Sequence, residues 1–95
     1  MSRNFQDAQY VSDIFKALSN KNRLIILSGL LEGEMKVGEM ESVFGISQPT
    51  LSQQLARLRS AQLVKTRRVS KEIFYSLANV DAKLMLEWLS INSEL

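Results

Sequence analysis

Six cationic side chains, Arg57, Arg59, Lys65, Arg67, Arg68 and Lys71, fall between Gln48 and Lys71 with no acidic residue among them. That segment is +6, while the rest of the chain, with the other six basic residues and all ten acidic ones, is −4. The bland total of +2 therefore hides a strong local excess. Such a stretch can neutralise an anionic surface, phosphate above all. A basic run is also a common form of solvated face, so its position in the fold decides between the two readings. Gln48, Thr50, Ser52, Gln53 and Gln54 lie just ahead of Arg57 and add amides and hydroxyls, which both donate and accept hydrogen bonds.

Other chemistry is poorly supplied. With no Cys and no His in 95 residues, disulfides are impossible, and the thiolates and imidazoles that dominate zinc sites and nucleophile–base pairs are missing. The acidic residues form no dense loop of the calcium-binding kind, so neither a metal nor another cofactor is expected. Glu39 and Glu41 sit two apart and point to different sides of any helix, which does not suit paired carboxylates in a pocket. An enzyme is not expected.

These groups need elements to hold them. Tyr10, Val11, Ile14, Phe15 and Leu18 repeat at helical spacing and predict a first helix ending near Leu18. Asn20 then offers a side-chain oxygen to cap a second, Lys21 to about Glu32, whose Leu24, Ile25, Ile26, Leu27, Leu30 and Leu31 spread around its circumference as in a core spine. Gly29 within it implies close approach of a neighbouring backbone. Val37, Met40, Val43 and Phe44 make a short third helix ended by Gly45. Ser47 is placed to cap a fourth, with Pro49 in its first turn and Leu51, Leu55 and Leu58 as its buried stripe. Leu63 to Arg68 and Ile73 to Leu77 read as a two-stranded hairpin around a Val-Ser-Lys-Glu connection. From Val80 to about Asn92 a fifth helix carries Leu84, Met85, Trp88 and Ile91 on one side and Ala82, Leu86 and Leu89 on another.

The expected class is mainly α, in the order ααααββα: one winged helix-turn-helix domain over residues 1–95. Such a domain offers one helix to the major groove of duplex DNA, roughly 12 Å wide, while the preceding helix steadies it. The fourth helix is then the reader, with Gln48, Thr50, Ser52, Gln53, Gln54 and Arg57 outward. Arg67, Arg68 and Lys71 would lie along phosphates at or near the tip of the hairpin, giving affinity more than sequence choice. Surplus apolar residues on the first and last helices predict a homodimer through those helices, with two readers about 34 Å apart on an inverted repeat. The alternatives are a winged module for protein contacts, and an activator that acts by displacing another repressor. The longest apolar run, Leu24 to Leu27, falls far short of the roughly 20 residues a membrane crossing needs. Met1 to Asp13 is unlike a secretory leader, so a cytoplasmic location is expected.

Lys16-Ala-Leu-Ser-Asn-Lys-Asn-Arg-Leu-Ile-Ile-Leu, Gln48-Pro-Thr-Leu-Ser-Gln-Gln-Leu and Phe74-Tyr-Ser-Leu resemble the ArsR/SmtB family of bacterial repressors over nearly the whole chain. The resemblance implies a homodimer that sits on its operator until an inducer weakens binding. Metal sensing does not carry over: Lys36 and Gly38 stand where the family's helix-three thiolates fall, and the last helix has Asp81 and Lys83 without an imidazole. Glu32-Gly-Glu and the Gln48 run are most similar to the BigR and HlyU branch, whose members respond to reactive sulfur, including persulfides, through two cysteines. At those places this chain has Ser28 and, to within about one residue, Ser93. A serine oxygen cannot be persulfidated, because the chemistry needs a nucleophilic thiolate. Either the serines are natural and the inducer is something else, or they replace cysteines and lock a reduced-like state. Two smaller departures concern geometry. Lys36 replaces a capping residue, so the third helix is expected to begin loosely, and Ser70 stands at the wing turn where relatives often have Gly.

Overall fold

The computed structural model describes residues 5–93, with side chains described over 7–90. Its elements are α1 (Phe5–Leu18), α2 (Lys21–Gly29), β1 (Met35–Lys36), α3 (Val37–Phe44), α4 (Gln48–Ser60), β2 (Val64–Val69), β3 (Glu72–Leu77) and α5 (Val80–Ser93). The chain is thus a mainly helical winged helix-turn-helix fold. It also has an element the sequence did not announce. β1 pairs antiparallel with β3, Met35 opposite Tyr75 and Lys36 opposite Phe74, to give a three-stranded sheet in the order β1-β3-β2. A two-residue strand has no periodicity to read.

The core forms where the helical stripes converge. Ile14 of α1, Ile26 and Leu27 of α2, Met40 of α3, Leu51, Leu55 and Leu58 of α4, and Ala82 and Leu86 of α5 are all buried together. Asn20 caps α2 by accepting the Arg23 N–H at 3.1 Å, and Asn79 caps α5 by accepting the Ala82 N–H at 2.8 Å. α2 is shorter than expected, because at Leu30–Glu32 the backbone tightens into a 3₁₀ turn ahead of Gly33. Gly29 does mark a close approach, but to a side chain: a β-carbon there would stand 2.2 Å from Cζ of Phe44. The glycine is thus the seat on which α3 rests against α2.

Local bonds set the boundaries around the functional elements. Gly45, at φ 66°, ends α3 in the left-handed conformation, and its N–H bonds to the Glu41 carbonyl at 3.1 Å. The other end of α3 is better held than expected, since the Glu39 carboxylate accepts the Lys36 N–H at 3.2 Å. α4 closes with two converging bonds, Gln62 N–H to Arg59 carbonyl at 3.0 Å and Leu63 N–H to Leu58 carbonyl at 2.9 Å. Leu63 therefore belongs to the helix closure, and β2 begins one residue later than expected. In the hairpin Val69 pairs with Glu72, so the connection is only Ser70 and Lys71, with Ser70 at φ 57° where a glycine would be unstrained.

Candidate nucleic-acid interface

The Gly45-Ile46-Ser47 turn joins α3 to α4 and sets the two as a helix-turn-helix pair, with Ile46 buried beneath it. Burial of Leu51, Leu55 and Leu58 fixes the rotation of α4 about its axis and so decides which side chains face out. Gln48, Ser52, Gln53 and Arg57 are exposed. Thr50 is half-buried, its hydroxyl oxygen receiving a hydrogen bond from Ser47 at 3.2 Å.

Gln54 departs from the expected outward set. It is only 8% exposed, and its Oε1 accepts a hydrogen bond from Nη1 of Arg23 at 3.2 Å. The reason is spacing: Gln54 lies three residues after Leu51 and four before Leu58, which places it on the leucine face. Arg23 is therefore part of the support of α4.

On the wing, two adjacent arginines have different surroundings because successive residues of a strand face opposite ways. Arg67 lies opposite Phe74, with its guanidinium carbon 4.8 Å from the ring centroid, and it forks onto Glu34, whose Oε2 accepts from Nε at 3.2 Å and whose Oε1 accepts from Nη2. The bond from Arg67 holds the Glu34 carboxyl below its usual range. Arg68 and Lys71 are exposed, and among the described residues neither has an ion-pair partner. Lys36 bridges to Glu72 at 3.0 Å, and its ammonium is held above the usual lysine range by that carboxylate. Arg67, expected at or near the tip of the hairpin, lies mid-strand and is paired with Glu34. Glu34 was legible only as part of the Glu32-Gly-Glu run, because its partner is 33 residues away.

The two positions compared with sulfur-sensing cysteines end up as follows. Ser28 is half-buried in α2 beside Gly29, and Ser93 is the last residue of α5, outside the residues whose side chains are described. No three carboxylates come together among the described residues as a metal site would require, and no described helix is long and apolar enough to cross a membrane.

Residues 20–66, from the cap of α2 into β2, match the model of the arsR family of bacterial regulatory proteins. The biofilm growth-associated repressor of Xylella fastidiosa (strain Temecula1 / ATCC 700964) is 46% identical over 82 residues, covering 86% of this chain and 72% of that protein. The chain belongs to the arsR family. It is a DNA-binding regulator of transcription, and its α3–turn–α4 unit is the family's helix-turn-helix. The transcriptional activator HlyU of Vibrio cholerae is 45% identical over 76 residues, 80% of this chain and 70% of that protein. A solved structure of HlyU from Vibrio cholerae N16961 superposes with a TM-score of 0.91 at 37% identity, over 97% of this chain and all of that one. This arsR-family chain is therefore similar both to a protein named as a repressor and to one named as an activator.

Proposed function

We propose that this regulator is a homodimeric repressor that binds an inverted-repeat operator and leaves it when an inducer binds. The observation that carries this reading is the face of α4, where Gln48, Ser52, Gln53 and Arg57 project beside a wing bearing exposed Arg68 and Lys71. Amides and a guanidinium suit the major-groove edges of bases, and the wing cations suit phosphates. Thr50 supports the start of the reader through Ser47, and Arg67 contributes from mid-wing.

A second copy of the chain is the occupant we assign to the groove between α1 and α5. Phe15, Leu84, Met85, Trp88 and Leu89 line about 390 Å³ there, all of them apolar, with Phe15 at 56%, Leu84 at 58% and Trp88 at 63% exposure. A twofold pairing of these helices covers that area and sets two readers one helical turn apart. As it stands, the chain does not sense sulfur through Ser28 and Ser93, whose hydroxyls do not form persulfides. Similarity to the named activator supports a second reading of regulatory sign, in which the same DNA complex displaces another repressor.

The test is titration of the protein into its own upstream promoter region and into random duplex, alongside sedimentation. Support is a dimer that prefers the promoter and protects two half-sites. A monomer with no shift on any duplex at low salt, yet capture by an acidic protein, would make the wing a protein-contact surface instead.

A further inference from the structure

Arg23 lies in the first turn of α2 with its side chain turned to two other helices. Its Nε donates to the Ala17 carbonyl at 3.0 Å and its Nη2 to the Lys16 carbonyl at 3.1 Å. Both carbonyls belong to the last turn of α1, where a cation meets the negative end of the helix; that of Lys16 also accepts from the Ser19 N–H at 3.3 Å and the Ser19 hydroxyl at 2.7 Å, so Arg23 completes a closure that Ser19 begins. The third arm, Nη1, reaches Oε1 of Gln54 on α4 at 3.2 Å. The backbone N–H of Arg23 is held by Asn20, so the residue is fixed at its root as well as at its tip. One planar fork thus joins α1, α2 and α4, a task a lysine cannot copy because its ammonium is a single point donor group.

We propose that Arg23 is a positioning residue for DNA recognition. Through Gln54 it clamps the reader helix to the end of α1 and so fixes the separation and tilt of the two readers. This rests on the dimer reading above, in which α1 lies at the twofold axis. The geometry is demanding: α4 is about 20 Å long, so a tilt of about 5° moves its far end by roughly 1.7 Å, half a base-pair rise. Gln54 is in this view the inward partner of a recognition pair whose outward member is Gln53.

The decisive comparison is between two neighbouring glutamines. Gln54→Glu sets a carboxylate against the guanidinium, which strengthens the bond, and the expected result is operator affinity within about threefold of the unaltered protein. Gln53→Glu sets the same charge toward DNA, and an affinity loss of about tenfold or more is expected. Equal losses from the two would overturn the clamp. Arg23→Lys keeps the charge and removes the fork. It is expected to bind a duplex carrying one half-site within about threefold of the unaltered protein, and to lose about tenfold on the full repeat. Its penalty for one base pair inserted between half-sites should also flatten. An Arg23→Lys dimer with an unchanged spacing penalty would likewise overturn the proposal. Indifference of the unaltered protein to spacing would instead refute the paired-reader reading, and the glutamine comparison would still decide the clamp.

Discussion

The α4–wing face and the α1–α5 face use opposite means of recognition. On the first, the exposed groups are polar or cationic and leave hydrogen-bonding capacity unspent, as at Gln53, Arg57 and Arg68. On the second, the exposed groups are apolar, and the main polar feature is already satisfied: the Tyr10 hydroxyl donates to Asp81 at 2.6 Å and accepts from Asn79 at 3.2 Å. A surface of unspent donors gains by meeting a polar polymer and weakens with salt. A surface of apolar area gains by excluding water and is nearly indifferent to salt. The contrast is what the proposed function rests on, with one face for nucleic acid and the other, in that proposal, for a second protomer.

The largest expected effect comes from breaking the apolar face. Trp88→Glu should give a monomer by sedimentation and, through loss of the second half-site, weaken operator binding by about 10²–10⁴-fold, though neither residue nor charge touches DNA. A variant that stays dimeric would erase the distinction between the two faces. Gln53→Ala comes next, costing about 1–3 kcal/mol on the operator and little on random duplex, as read by competition titration. Arg68→Ala sharpens the polar side further: binding to all sequences should fall together, and the log-log salt slope should shrink by about one.

The smallest effect belongs to pH. Donation to Asp81 holds the Tyr10 hydroxyl above the usual phenol range. The neutral form is the bonded one, so its contribution is complete at neutral pH and is lost as pH rises through that raised value. Tyr10→Phe should remove this alkaline decline from denaturation curves while leaving DNA binding at neutral pH intact.

The elements that position both faces were legible in the chain because their signals are local. Leu51, Leu55 and Leu58 announced the buried side of α4, Gly45 announced the end of α3, and Asn20 announced the start of α2. Gln54 could also have been read correctly, since it stands at helical spacing from Leu51 and Leu58. An amide there looks like a reader until spacing is given precedence over residue type. Contacts between distant positions left no such trace. Nothing in the order of residues pairs Glu34 with Arg67, or Arg23 with Gln54, and β1 is too short to show alternation. Gly29 signalled that something comes close, but not that Phe44 does.

The fork between Glu34 and Arg67 changes what the wing gains when it meets a duplex. An unpaired cation that settles on a phosphate frees roughly 0.9 of a condensed sodium from the DNA and gives up nothing in return. Arg67 arrives with an anion of its own, so in moving to a phosphate it exchanges one ion pair for another and leaves the Glu34 carboxylate beside a polyanion. Counting arginines therefore overstates the attraction that the wing supplies.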